Sequence, residues 1–77
     1  MTMLQTTPTT LQLVVNGERR ELPAGSTLGM LLRELKLDPR LIVVEHNREI
    51  LRDRDKFDSR PLVDGDVLEL VHFVGGG

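Results

Sequence analysis

The segment LQLVVNGERREL, residues 11–22, constrains the fold most, because it specifies a β-hairpin with few alternatives. Apolar residues recur at every second position across residues 11–15, which is the period of a β-strand. Asn16 and Gly17 follow, and these residue types favour the positive φ angles of a tight type I′ turn. The return arm, residues 18–22, is highly charged, so we expect it at a sheet edge, where charge discourages pairing with other chains.

A leucine pattern after the hairpin predicts one amphipathic helix. The spacing i, i+3, i+4, i+7 places four leucines on one face: Leu28, Leu31, Leu32 and Leu35. Thr27 is the predicted N-cap, with Ser26 as the competing position. Asp38-Pro39 is predicted to end the helix, because the residue before a proline disfavours the helical conformation. Gly29 costs about 1 kcal/mol relative to alanine in a helix, and close packing against the sheet would explain it.

The second half of the chain predicts three further strands. A β-branched run at residues 42–44 predicts a strand, residues 46–48 a turn and residues 50–51 a short strand. The triplet DGD at residues 64–66 predicts another turn. The final strand is VLELVHF, residues 67–73. The predicted order is therefore strand, strand, helix, strand, strand, strand.

A helix that joins two hairpin regions in so short a chain should lie on one face of a mixed sheet. This is an α+β class of fold with a β-grasp arrangement, and its other sheet face should be open to solvent. Residues 52–66 form a charged, turn-rich stretch, which we call the charged loop, and Phe57 and Leu62 are its expected apolar anchors. We expect the domain to span residues 11–74, after a flexible lead-in at residues 1–10 and before a flexible glycine tail at residues 75–77.

The two faces of the final strand have different predicted roles. Glu69 stands in its middle, and a lone mid-strand carboxylate should face solvent. Leu68 and Leu70 then face the core, because side chains alternate along a strand. The solvent face carries apolar residues that we predict to dock a partner protein, and we call them the docking patch: Val67, Val71 and Phe73. The tail that follows is Val74, Gly75, Gly76 and Gly77.

Composition argues against several classes of function. Ten Lys and Arg against twelve Asp and Glu, with two aromatic residues, give no basic and aromatic surface for nucleic acid. No apolar run is long enough to cross a membrane, and residues 1–10 lack the features of a secretory signal, so we expect a cytoplasmic protein. The chain has no cysteine, and His46 and His72 are expected at the surface or in turns. We therefore expect neither a metal site nor catalysis.

The chain resembles the ThiS family, the ubiquitin-like sulfur carriers of thiamine thiazole biosynthesis. The resemblance rests on "VVNGE" in the first hairpin, the leucine helix, "VVEHNREI", "DGD" and the ending "VHFVGGG". It covers residues 11–77. A glycine-glycine end is shared with other β-grasp carriers, and the combination with "VVEHNREI" in a short chain is more specific.

The resemblance implies a carrier that acts as a protein co-substrate, not an enzyme, with no cofactor of its own. A ThiF-type adenylyltransferase would use ATP to activate the carboxylate of Gly77. Sulfur from a cysteine desulfurase relay would replace AMP and leave a C-terminal thiocarboxylate. A ThiG-type thiazole synthase would take this sulfur. The tail residues Val74, Gly75, Gly76 and Gly77 would enter the partner's active site, and Gly75 exceeds what the family pattern requires.

Three alternatives remain open from the sequence. A MoaD-like subunit of molybdopterin synthase shares the fold, the DGD turn and the glycine end, although its tail tends to have phenylalanine and proline before the glycines. A ubiquitin-like tag would be conjugated to lysine side chains. A plain β-grasp binding module would not use its tail.

Overall fold

The computed structural model describes residues 9–73. Its strands and helix are β1 (Thr10–Val15), β2 (Glu18–Pro23), α1 (Leu28–Glu34), β3 (Ile42–His46), β4 (Glu49–Leu51) and β5 (Val67–His72). Two 3₁₀ helices connect them, Pro39–Leu41 and Arg54–Ser59. This order of strands and helix confirms the prediction. The predicted flexible tail, and residues 1–8 of the predicted lead-in, lie outside the described residues.

The strands form one mixed sheet in the order β2-β1-β5-β3-β4. The central strand β5 runs parallel to β1 and antiparallel to β3. Helix α1 covers one face of the sheet, and the hydrophobic core lies between helix and sheet: Leu11, Leu13, Val15, Leu22, Leu28, Leu31, Leu32, Ile42, Val44, Phe57, Leu62, Leu68 and Leu70. The predicted β-grasp arrangement is confirmed, and the core includes both expected anchors of the charged loop.

The first hairpin has the predicted turn. Asn16 and Gly17 have φ angles of 52° and 82°, and Val15 pairs with Glu18 across them. The charged strand β2 lies at the edge of the sheet, as predicted. A positive φ is tolerated best by glycine and asparagine, so the residue pair dictates the turn and the turn fixes the register.

Helix α1 begins as predicted but ends earlier. The backbone N–H of Met30 donates to Oγ1 of Thr27 at 3.3 Å, which confirms Thr27 as the N-cap. The prediction that Asp38-Pro39 ends the helix is wrong, because the last helical residue is Glu34. Lys36 takes a φ of 60°, and the N–H of Leu37 donates to the carbonyl of Leu32 at 2.9 Å. This is a Schellman-type ending, with lysine where glycine is usual.

Gly29 packs closely, but against the second 3₁₀ helix and not against the sheet. A Cβ atom built on Gly29 would lie 2.8 Å from the Cα atom of Asp58. The obstacle is backbone, so it cannot rotate out of the way. The side chain of Asp58 also accepts a hydrogen bond from Arg33 at 2.9 Å, which ties the two segments together. Glycine at position 29 therefore lets the charged loop approach the helix.

We predict that Gly29→Ala destabilises the protein, although alanine favours helix by about 1 kcal/mol over glycine. The collision with Asp58 should outweigh this gain, because overpacking typically costs about 1–3 kcal/mol. Urea unfolding should show a lower free energy of unfolding. The control Glu34→Ala, at an exposed position of the same helix, should change it by less than about 0.5 kcal/mol. A stabilised Gly29→Ala variant would contradict the close packing.

Candidate functional site

The candidate site is the end of β5, where the chain leaves the sheet toward the tail. Neighbouring strands hold β5 on both sides. Pairing of β5 with β1 ends at the pair of Leu68 and Val15. Pairing of β5 with β3 continues to the pair of His72 and Ile42. The N–H of Phe73 then donates to the carbonyl of Leu41 at 2.8 Å. The last described residue is thus still anchored to the sheet on the β3 side.

The two faces of β5 separate as the sequence predicts. Leu68 and Leu70 are buried, and Glu69 is exposed. The docking patch faces solvent, with exposed fractions of 44% for Val67, 58% for Val71 and 45% for Phe73. These residues lie on the sheet face opposite α1, because Leu68 and Leu70 face the core. The docking role itself stays a prediction. The tail residues Val74, Gly75, Gly76 and Gly77 lie outside the described residues.

Further apolar residues that sequence reasoning missed lie beside the docking patch. Strand pairing places Val43 opposite Val71 and Val14 opposite Val67 on the same face. Ile50 is exposed on this face too, because it pairs with the outward Glu45. The signal that could have found them is the pairing register, which connects residues far apart in sequence.

Two carboxylates face each other in the middle of this apolar surface. Glu45 of β3 lies directly opposite Glu69 of β5. Like charges at directly opposed positions destabilise a sheet, and no salt bridge to either side chain occurs among residues 9–73. The face therefore has two carboxylates among apolar side chains.

The prediction that His46 lies at the surface or in a turn is wrong. His46 is the last residue of β3 and only 7% exposed, beside Asp66, which is 4% exposed. Nε2 of His46 lies 2.8 Å from Oδ2 of Asp66, and Arg60 Nε donates to Nδ1 of His46 at 2.8 Å. The alternation of buried and less buried residues along β3 continues through His46. The polar residues around His46 made this pattern difficult to recognise in the sequence. His72 is exposed, as predicted.

The hydrogen bonds assign the roles of the two ring nitrogens of this buried histidine. The Nε–H of Arg60 can only donate, so Nδ1 of His46 must accept, and the ring hydrogen lies on Nε2. That hydrogen is donated to Asp66, whose carboxylate also accepts from the N–H of Val63 at 2.8 Å and from Asn47 Nδ2 at 2.9 Å. The cluster fixes the start of β5 and contains no group placed to act as a nucleophile.

The pKa of Asp66 is lowered below its ordinary value of 3.8. Burial alone would raise this pKa, but the hydrogen bonds from Val63, Asn47 and His46 outweigh burial because they favour the ionised form. A folded-state pKa below the unfolded value makes ionised Asp66 stabilising. This contribution is fully present above pH 3.8 and is lost as the pH falls through the folded-state pKa.

We therefore predict that stability falls more steeply with acidification in the wild-type chain than in Asp66→Asn. Urea unfolding at several pH values from about 6 to about 2 measures this slope. Asp55→Asn, which removes an exposed carboxylate, is the control and should retain most of the wild-type slope. Equal acid slopes in wild type and Asp66→Asn would show that Asp66 does not stabilise the fold by its charge.

Within residues 9–73, no group of three or more His, Asp and Glu side chains is arranged to hold a metal ion. None of the helices described there is long and apolar enough to cross a membrane. A β-grasp fold whose last strand has an exposed apolar face and precedes a glycine-rich end belongs to the ubiquitin-like class.

Comparisons with known proteins identify the family within this class. The profile of the ThiS family matches residues 13–77. The sulfur carrier protein ThiS of Bacillus subtilis is 41% identical over 51 residues, which are 66% of this chain and 76% of that protein. A crystal structure of the thiamine biosynthesis protein ThiS from Geobacter metallireducens superposes with a TM-score of 0.72 at 33% identity, covering 87% of this chain and all of that one.

A thiazole synthase from Paramagnetospirillum magneticum is 43% identical over 67 residues, which are 87% of this chain. This chain spans only 20% of the length of that relative. A thiazole synthase from Magnetococcus marinus matches at 36% identity, again over 20% of its length. The chain belongs to the ThiS family of small sulfur carrier proteins.

Proposed function

We propose that this chain carries sulfur for the thiazole ring of thiamine as a thiocarboxylate on Gly77. The single observation that supports this most is the ThiS family match, because it runs through residue 77 and so includes the glycine end. The exposed docking patch lies directly before that end. A carrier needs both features, since one surface must bind the partner while the tail reaches its active site.

The chemistry requires activation by a partner. The α-carboxyl group of Gly77 is ionised at neutral pH, since its ordinary pKa is about 3.5, and a carboxylate is a poor acyl donor. A ThiF-type adenylyltransferase joins it to the α-phosphate of ATP and releases pyrophosphate. The terminal sulfur of a persulfide from a cysteine desulfurase relay then displaces AMP and forms an acyl disulfide. A thiol reduces this disulfide, which releases the thiocarboxylate and leaves the thiol joined to the relay cysteine as a disulfide. The reactive group is therefore supplied by ATP and the partners, and the chain supplies the terminus.

Glycine suits a terminus that must enter more than one active site. Gly76 presents no side chain to the walls of a channel and permits backbone conformations that other residues avoid. The thiazole synthase acts as the sulfur acceptor in this proposal. Support comes from the two thiazole synthase relatives, in which a segment similar to this chain is part of the same polypeptide. The proposal places these ATP-dependent steps in the cytoplasm.

We predict that the cognate adenylyltransferase, ATP and the sulfur donor convert the chain to a species in which one sulfur atom replaces one oxygen atom. Intact-mass spectrometry measures the conversion. Gly76→Ala should slow it without changing the unfolding midpoint, because the described core residues lie between Leu11 and Leu70. An alanine added after Gly77 should abolish it, since the reactive carboxylate has moved. The same alanine added before Met1 is the control, and a wild-type chain that never gains sulfur would overturn the proposal.

The docking patch yields a separate prediction. Val71→Gln should raise the KM for the carrier about fivefold to tenfold, because a half-exposed valine that a partner buries contributes on the order of 1 kcal/mol. The matched control is Val63→Gln, since Val63 has the same exposed fraction of 58% but lies in the loop before β5. If Val63→Gln impairs the reaction as much as Val71→Gln, the patch has no special role in docking.

A further inference from the structure

The pairing of β5 with β1 continues beyond the last backbone partner through one side chain. The N–H of Asn16 donates to the carbonyl of Leu68 at 2.9 Å, and the β1 backbone then turns away into the hairpin. The side chain of Asn16 takes the next position along β5. Its Oδ1 accepts from the N–H of Leu70 at 2.6 Å, and its Nδ2 donates to the carbonyl of Leu70 at 3.2 Å. The amide thus pairs with both backbone groups of Leu70 and replaces a missing strand residue.

This contact lies at the end of β5 that leads to the tail. Leu70 is four residues before Val74, the first residue of the tail. On the β3 side, Phe73 is bonded to Leu41. On the β1 side, the amide of Asn16 holds β5 at Leu70, beyond the last backbone pair at Leu68. The end of β5 is therefore held by backbone pairing with β3 on one side and by the side chain of Asn16 on the other.

The second hairpin provides an internal comparison. Asn47 has a φ of 51°, close to the 52° of Asn16, and each begins a two-residue turn. Asn47 also bonds to the β5 region, because its Oδ1 accepts from the N–H of Val67 and its Nδ2 donates to Asp66, both at 2.9 Å. The two asparagines thus have the same backbone conformation and the same kind of contact. Asn47 holds the start of β5, whereas Asn16 holds the end.

We propose that Asn16 is a positioning residue for activation of the tail: its amide fixes the end of β5 so that Gly77 reaches the active site of the adenylating partner. The inference rests on the proposed function. It assigns Asn16 a role beyond the turn, because a turn with positive φ angles would be served equally well by glycine. An extended terminus that leaves the sheet in a fixed direction loses less conformational freedom when it enters a channel.

The test uses two variants that keep both turns, and each removes the two hydrogen bonds of one asparagine amide. Glycine accepts the positive φ at either position, so Asn16→Gly and Asn47→Gly differ mainly in which end of β5 is released. The full-length chains are compared in the thiocarboxylate-forming reaction, at a temperature where circular dichroism shows both to be folded. The rate is measured by intact mass over a range of carrier concentrations, which gives kcat and KM separately.

We expect Asn16→Gly to lower kcat about threefold to tenfold, the factor that corresponds to one typical hydrogen-bonding contact. The KM should stay within about twofold, because the docking patch is intact and only the step after docking is impaired. A merely structural loss would instead reduce the folded fraction, which raises the apparent KM and leaves kcat unchanged. Asn47→Gly should retain the wild-type kcat. An unchanged kcat in Asn16→Gly, or an equal fall in both variants, would overturn the proposal.

A second measurement does not depend on the reaction. Backbone ¹⁵N relaxation should show lower order parameters at His72 and Phe73 in Asn16→Gly and wild-type values there in Asn47→Gly. If the wild-type chain forms no thiocarboxylate, the proposed function fails, and these order parameters still decide whether Asn16 fixes the end of β5. Unchanged order parameters in Asn16→Gly would reject the positioning role even where the carrier function holds.

Discussion

Strand β5 (Val67–His72) is held in the centre of the sheet, and the site depends on this constraint. Burial of Leu68 and Leu70 against α1 allows only one orientation of the strand, because a shift of one residue would expose both leucines. The same alternation places the docking patch in solvent. Burial of these two leucines therefore completes the core and also exposes the surface that precedes the tail.

The asparagines of the two hairpins support β5 at its two ends. Both residues occupy turn positions with positive φ, and both direct their amide groups to β5 or to the residue before it. The buried pair of His46 and Asp66 adds a second support at the start of the strand. Polar contacts thus fix the two ends of a strand whose middle is fixed by leucine packing.

Local signals in the sequence were sufficient for the hairpin, the helix start and the faces of β5. Asn16-Gly17 dictates a turn, Thr27 offers a cap, and Glu69 identifies the solvent face. The failures depend on contacts between distant residues. The Schellman-type ending has a positive φ at Lys36 and is flanked by Leu35 and Leu37, which pack against the core. The burial of His46 depends on Arg60 and Asp66, which are 14 and 20 residues away.

The roles of Gly29 and Asn16 also depend on contacts with residues that are distant in the sequence. Close packing at Gly29 could be expected from the residue type, but its partner, Asp58, comes from a loop with no pattern to indicate where it folds. Asn16 has an obvious role in its turn, and this obscured its contact with Leu70, 54 residues away. The sequence also left MoaD-like carriers and protein tags open, and the match of residues 13–77 decides the family as ThiS.

The most direct test of sulfur carriage is transfer of a heavy sulfur isotope from the chain to the product. The chain would be prepared with the heavy isotope in its C-terminal thiocarboxylate and incubated with thiazole synthase and the remaining thiazole precursors, without another sulfur source. If the chain carries the sulfur, the isotope will appear in the thiazole ring, one atom for each chain that returns to the carboxylate form. Thiazole that forms only after unlabelled sulfide is added, while the chain keeps its label, would show that the chain does not carry this sulfur.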